Sequence, residues 1–377
     1  MLLGEVEAID FERRVVTTQD STIEFDYLVL AGGARPNYFG KDEWQDLAPS
    51  PKSLDLAIEI RRRVLFAFEE AEAIEGDSLL RRRLLEFVII GGGPTGVEFA
   101  GALAELSRRG LKRDFRRIDP GTAKVHLVEG GDKVLGHFPG DLPERAARQL
   151  SELGVLLHPG KRVTAIDEDG VTLSDGTRLD AATVIWAAGV KPVALAEMVP
   201  AERDREGRVK VQSDLSVAGH PHVFVIGDMA RFEGEDGKPL PGLSPVAIQE
   251  GRAVARTLAG ELRGKPREAF RYFDKGMLAT IGRSRAVGVV GRFRFSGFIA
   301  WVVWALVHLF YLIGFRNRVF VLLEWFWSYL TDRHAARIIM GLQHPLPSIR
   351  DRLRSAGPHV VKASPLSREL AKEHAAS

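Results

Sequence analysis

The sequence predicts an α/β chain of two related doubly wound units followed by an apolar helical segment, and three observations predict it. A four-residue apolar run, Phe87-Val88-Ile89-Ile90, enters a glycine-rich turn and then a stretch of helix formers. The opening of the chain is repeated about 157 residues later. Towards the C-terminus, 21 consecutive residues from Phe295 to Phe315 carry no formal charge.

Composition bounds what such a chain can be. At 377 residues, 45% hydrophobic and 27% charged, it is ordered and too long for one ordinary core of ~100–200 residues. Lys and Arg number 52 against 50 acidic residues, a formal charge of +2, so no strong field points to nucleic acid. The absence of cysteine excludes disulfide staples, thiolate metal sites and a dithiol redox centre within this chain. Residues 1–7 lack the basic and apolar regions of a secretory signal and read as the inside of a strand.

Taken in order, Val6 to Ile9, Arg14 to Thr18 and Ile23 to Ala31 are β-type runs that end in the turn Ala31-Gly32-Gly33-Ala34. From 53 to 73, Leu54, Leu56, Ile58, Val64, Leu65 and Phe68 recur among charges at the spacing of an amphipathic helix. Phe87 to Ile90 suits a buried parallel strand, and Lys124 to Val128 is a second strand ending in Glu129. Between them, Arg109-Gly110 to Thr122 reads as an added loop. The repeat then begins: Val163-Thr164-Ala165-Ile166-Asp167 mirrors Val6-Glu7-Ala8-Ile9-Asp10, and residues 184–189 mirror residues 28–33. Asp169-Gly170 and Asp175-Gly176 supply hairpin turns within the second copy. One domain is therefore expected over 84–195, inserted into another split over 1–83 and 196–275, with 276–377 as a C-terminal region. Carried back by the same offset, the turn at Gly91 has its counterpart at about position −66, so the first domain is expected to lack its own N-terminal strand, turn and helix.

The turn Gly91-Gly92-Gly93-Pro94-Thr95-Gly96 follows a buried strand and opens a helix, the context in which a GxGxxG pattern binds a dinucleotide in a Rossmann-like domain. Gly91 permits the tight turn, Gly93 lets a pyrophosphate approach the backbone, and Gly96 lets helix and strand pack closely. Glu129, at the end of the next strand, is the acid expected on a ribose hydroxyl. Gly130-Gly131, with no arginine directly after Glu129, favours NADH over NADPH. Glu98, in the first turn of the helix, is either a carboxylate placed on the helix dipole or a group beside the nicotinamide. His220 and His222 have HxH spacing without acidic or cysteine partners, so no metal site is expected.

With FVIIGGGPTGVE at 87–98, TVIWAAGV at 183–190, VFVIGDM at 223–229, LATIGRSRAV at 278–287 and GFIAWVVWALVHLFYLIGFRNR at 297–318, the chain resembles the type II NADH dehydrogenases, single-subunit NADH:quinone oxidoreductases, nearly end to end. The resemblance implies FAD and NADH as cofactors, a hydride passed from NADH to FAD, and two electrons delivered to a membrane quinone without proton pumping. It assigns Glu98 and Gln249 to catalysis, Gly91, Gly93, Gly96, Glu129 and Gly189 to NADH, and Gly33, Gly227, Asp228 and Ala247 to FAD. Gln249 matches the second glutamine of the family's AQxAxQ motif, read here as Ser244-Pro245-Val246-Ala247-Ile248-Gln249, and Pro245 stands in place of the first. Gly32 is a further departure, where the family more often has threonine.

The uncharged run reaches the ~20 residues that span a bilayer. Arg292, Arg294, Arg316 and Arg318 around it, with Trp301, Trp304, Trp325 and Trp327, also fit an interfacial anchor, which the resemblance favours. His308 within the run reads as a polar tip at headgroup level. Attachment through 295–330, on the cytoplasmic face of the inner or plasma membrane, is the expected location. The sequence leaves a homodimer open. The competing expectation is a truncated, flavin-poor, membrane-attached fragment that binds NADH without full activity. After Pro345-Leu346-Pro347 the tail is polar.

Overall fold

The computed structural model describes residues 1–331 apart from 77, 236 and 313, so the polar tail and the end of the expected 276–377 region lie outside the described residues. The chain divides into two compact units, one formed by 1–37 with 189–275 and the other by 38–188 with the residues from 276 onward.

In the first unit, Val6–Asp10, Val15–Thr18 and Thr22–Glu24 form an antiparallel meander. The third expected run is split, since Phe25 N–H turns back to the Arg14 carbonyl at 2.9 Å before Leu28–Leu30 begins. Leu28–Leu30 pairs in parallel with His220–Val225, whose other side takes Ser216–Val217. The helix Ser244–Glu261 supplies Val254 to a core with Leu215, Phe224, Ile226 and Phe270.

The second unit holds a four-stranded parallel sheet in the order Thr183–Trp186, Glu86–Ile90, Lys124–Val128, Val155–His158. The chain runs outward from 86 through 124 to 155, then returns to the opposite side of Glu86–Ile90 at 183. Continuous burial of Phe87 to Ile90 explains why that strand reads as an unbroken apolar run. Val163–Asp167, Gly170–Leu173 and Arg178–Asp180 form a second meander, so each copy of the sequence repeat folds as three antiparallel strands leading into a parallel one.

The packing boundaries differ from the expected 1–83, 84–195, 196–275 and 276–377. Residues 38–83 pack with the parallel sheet because the helix Leu54–Ala73 buries Ile60, Val64, Leu65 and Phe68 in one core with Phe87, Ile89, Val125 and Leu127. Tyr38 and Trp44 cover the opposite face, with ring centroids 5.0 and 5.7 Å from Trp186. The C-terminal strands Met277–Gly282, Arg285–Val290 and Phe293–Ser296 join the same unit, adding Ala279, Ile281, Val287 and Val289 to the first of these cores.

The charge-free run is not one helix. Phe295 and Ser296 end a strand, Gly297 adopts φ +72°, and a helix occupies only Phe298–Tyr311 before a second begins at Phe315–Thr331. Fourteen residues rise about 21 Å, short of the ~30 Å hydrocarbon core. Among the described residues no helix is long and apolar enough to cross a membrane. Nor are these helices buried: Phe298, Ile299, Leu306, Phe310, Phe315 and Phe320 are exposed. His308 Nδ1 lies 2.8 Å from the Trp304 carbonyl oxygen, and its ring sits 4.0 Å from the Trp304 ring.

Candidate nucleotide and flavin sites

The parallel strands of the second unit end on one edge, and its glycines gather there. Gly91 has φ +111°, and a β-carbon on it would run into the Ala187 carbonyl. Its N–H donates to the Val128 carbonyl at 2.8 Å, while Ala187 N–H donates to Ile90 at 2.7 Å, which stitches three strand ends together where the strand order reverses. The helix Pro94–Glu105 starts at Pro94, so Gly96 is already inside its first turn. A β-carbon on Gly96 would overlap the Gly91 carbonyl oxygen, whereas none of the surrounding heavy atoms comes within 4 Å of a β-carbon on Gly93. The open side at Gly93 and a helix N-terminus without a side-chain cap fit a pyrophosphate.

Glu129 is clasped by this turn. Its Oε2 accepts from Gly92 N–H at 2.6 Å and its Oε1 from Gly131 N–H at 2.6 Å. A β-carbon on Gly92 would stand 2.9 Å from the Glu129 side chain, so the middle glycine, to which the pattern assigns no task, is what lets the acid close on the turn. Each oxygen keeps a lone pair for a ligand hydroxyl. The nearest neighbour of the position a Gly130 β-carbon would take is Arg162, brought by the turn that follows the adjacent strand Val155–His158.

Glu98 lies in the second turn of its helix, not the first, because the helix begins two residues before Gly96. Burial raises its pKa, against the opposing effect of Thr280, whose N–H and Oγ1 each approach Oε1 at 3.3 Å. Thr280 belongs to the C-terminal strands, which pack so closely on this helix that a β-carbon on Gly101 would overlap the Ile281 carbonyl.

In the first unit, two neighbouring parallel strands end in glycine turns. Gly33, at φ +74°, has open space where a β-carbon would lie. Gly227, at φ +69°, follows Ile226 and leads into Asp228, with the Ala247 methyl 3.4 Å from where its β-carbon would be. A β-carbon on Gly32 would meet Val193 at 2.8 Å and Met229 at 3.1 Å, which accounts for glycine in place of threonine. Pro245 sits in the first turn of Ser244–Glu261, where a missing N–H costs nothing. These open turns and an uncapped helix beside them fit a second dinucleotide. Gly189 opens the second segment of this unit at φ +130°, and its carbonyl accepts from Asn37 N–H at 3.1 Å.

Gln249 does not leave its amide free. Nε2 donates to the Phe273 carbonyl and Oε1 accepts from Phe273 N–H, both at 3.0 Å. The motif reading overlooked its neighbour Glu250, 2% exposed, whose Oε2 accepts from Gly227 N–H at 2.5 Å. The spacing of Val246, Glu250 and Val254 on the buried side of the helix is the signal that marks it.

Burial, with Asp228 adding to it, pushes the Glu250 carboxyl up to about 7. Its proton is held more tightly in the folded chain, so its contribution is complete below the unfolded value near 4.5 and is lost as pH rises to about 7. Glu250→Gln is expected to remove about 3 kcal/mol of stability loss between pH 5 and 8, read as a flatter dependence of the unfolding midpoint on pH than in the parent.

Residues 1–251 match the family model described as pyridine nucleotide-disulphide oxidoreductase, and residues 275–334 match the NDH2 C-terminal domain. The chain is 43% identical over 358 residues to the type II NADH:quinone oxidoreductase Ndh of Mycobacterium tuberculosis, covering 91% of this chain and 76% of that protein. It is 40% identical to NdhA of the same organism, covering 88% and 73%. The structure of NDH2 from Plasmodium falciparum in complex with NADH superposes with a TM-score of 0.79 at 17% identity, over 90% of this chain and 85% of that one, a likeness of fold. With a shared fold, a matching C-terminal domain and identity at this level across most of both sequences, the chain belongs to the type II NADH:quinone oxidoreductases.

Proposed function

We infer that this chain oxidises NADH and reduces a quinone through FAD, as a membrane-attached enzyme that pumps no protons. The observation that carries the reading is Glu129, held by two backbone N–H groups at the glycine turn where the parallel sheet reverses its order. We assign NADH to that edge, with Gly91, Gly93 and Gly96 shaping the pyrophosphate approach and Glu129 taking ribose hydroxyls; Gly189, which opens the second segment of the first unit, is assigned to NADH on the family resemblance alone. FAD is assigned to the first unit, with Gly33 and Gly227 as open turns, Asp228 for ribityl hydroxyls and Ala247 packed against Gly227. When bound, FAD supplies the relay between a hydride donor and a two-electron acceptor.

The chain's own residues orient and exclude. Glu98 is assigned to the catalytic centre: Thr280 occupies Oε1, which leaves Oε2 as the atom able to hold a proton, and burial favours the protonated form. Gln249 is assigned to the quinone side, where its amide fixes the backbone of Phe273, a residue whose ring is exposed.

Membrane attachment is supported by the exposed apolar faces of Phe298–Tyr311 and Phe315–Thr331, with the Arg316 and Arg318 guanidinium groups 5.5 and 5.6 Å from the Phe320 and Phe310 rings. The two short helices suit an anchor lying in the interface, on the cytoplasmic face where NADH is available. Sedimentation of the detergent-solubilised protein distinguishes a monomer from the homodimer that the sequence leaves open.

The test is the visible spectrum of the purified chain. A flavin band that bleaches on NADH and returns with a quinone is expected, and a colourless protein that still binds NADH would reduce the function to nucleotide binding. Asp228→Ala is expected to lower flavin occupancy several-fold without abolishing NADH binding; full occupancy in that variant would move the ribityl contact elsewhere.

A further inference from the structure

We propose that a cleft of about 720 Å³ in the second unit binds the phosphate of an anionic phospholipid headgroup. The proposal rests on the membrane attachment inferred above and adds a specific polar contact to it.

Four features meet at this cleft. Arg109, Arg283 and Arg285 line it with a single carboxylate, Glu152, which is ion-paired with Arg285. Arg109 is delivered by a single π-helical turn, Leu106–Gly110, a distortion of the helix that begins at Pro94 and one found mostly at functional positions. Ser284, at the tip of the hairpin between Met277–Gly282 and Arg285–Val290, adopts φ +61°, a left-handed conformation that is costly for a non-glycine residue. The hairpin tip is fixed there, because the Glu105 carboxylate accepts from Arg283 N–H at 2.8 and 3.0 Å. Finally, Gln149, Ser296 and Gly297 form the remaining wall, and Gly297 caps the helix Phe298–Tyr311 without a side-chain hydrogen bond. Three guanidinium groups and a helix N-terminus around one cleft are the donor set that holds a phosphate.

Location selects the source of the phosphate. The residues that follow the cleft wall, Phe298 and Ile299, are 55% and 66% exposed and begin the apolar helical face. A phosphate held at Gly297 therefore has acyl chains beside it on the same element, an arrangement that a free phosphate does not use.

The experiment uses the full flavin-containing chain and short-chain phosphatidylglycerol below its micellar concentration. The parent is expected to bind one lipid per chain, and Arg109→Gln with Arg283→Gln to weaken that binding about ten-fold while keeping the flavin spectrum and thermal midpoint. Arg292→Gln with Arg316→Gln removes the same charge from the helix flanks outside the cleft and is expected to leave it unchanged. Equal losses in both pairs would reduce the effect to a general surface field, and no loss in the first pair would remove the site. Inorganic phosphate binding as tightly as the short-chain lipid would make this a free-phosphate site and overturn the assignment. Attachment to pure phosphatidylcholine vesicles is measured separately: its absence would defeat the apolar anchor, and its presence without a preference for phosphatidylglycerol would defeat only the cleft.

Discussion

Replacing Glu129 by arginine is expected to raise the KM for NADH roughly 10- to 100-fold while leaving the flavin bound and the turnover at saturating NADH much less affected. The carboxylate has two jobs at once. It accepts from Gly92 and Gly131 N–H at 2.6 Å each, which holds the glycine turn in shape, and its remaining lone pairs are the ones assigned above to a ribose hydroxyl pair. A hydrogen bond to a charged acceptor contributes ~1.5–3 kcal/mol, which sets the size of the effect. Arginine also reverses the charge beside Gly130, where Arg162 already lies, so two cations would meet the 2′-phosphate of NADPH. The ratio of kcat/KM for NADPH to that for NADH should therefore rise by more than the loss in NADH alone. An unchanged KM for NADH would remove Glu129 from the nucleotide site.

Local pattern carried much of this arrangement, and long-range pairing carried the rest. Phe87 to Ile90 was legible because a strand buried on both faces leaves no polar position in its run, and the repeat was legible because nearly the same five residues, Val6 to Asp10 and Val163 to Asp167, open both meanders. The partner of the helix Leu54–Ala73 was not legible: periodicity shows that Val64 and Phe68 face inward, and only the fold shows that they face Phe87. The break at Gly297 was hidden for a related reason, since a run without charge gives no sign of where extended backbone becomes helix. At the sites, glycines and acids beside strand ends were readable from spacing. The Gln249 amide, spent on Phe273 24 residues away, and the Thr280 contact to Glu98 depend on chain segments that spacing does not connect.

Gly96→Ala is expected to destabilise the second unit by more than ~4 kcal/mol, whereas Gly93→Ala, three residues earlier, should leave stability within ~0.5 kcal/mol of the parent and damage only nucleotide binding. The difference follows from where each β-carbon would go. At Gly96 it would overlap the Gly91 carbonyl oxygen, and that oxygen has no room to retreat: Gly91 N–H is tied to Val128, and the other side of Gly91 is closed by the Ala187 carbonyl. Helix and sheet would have to separate, exposing part of the core that contains Val97, Ala100 and Ile185. At Gly93 the backbone has φ −71°, which alanine adopts without strain, and nothing lies within 4 Å of the new methyl. The space it would fill is the open side of the turn in front of the helix N-terminus, where a pyrophosphate is assigned. Thermal unfolding of the two variants, with and without NADH, separates the roles. Gly93→Ala should unfold at the parent temperature and gain at least ten-fold in KM, and a Gly93→Ala protein with unaltered NADH kinetics would place the pyrophosphate away from this turn.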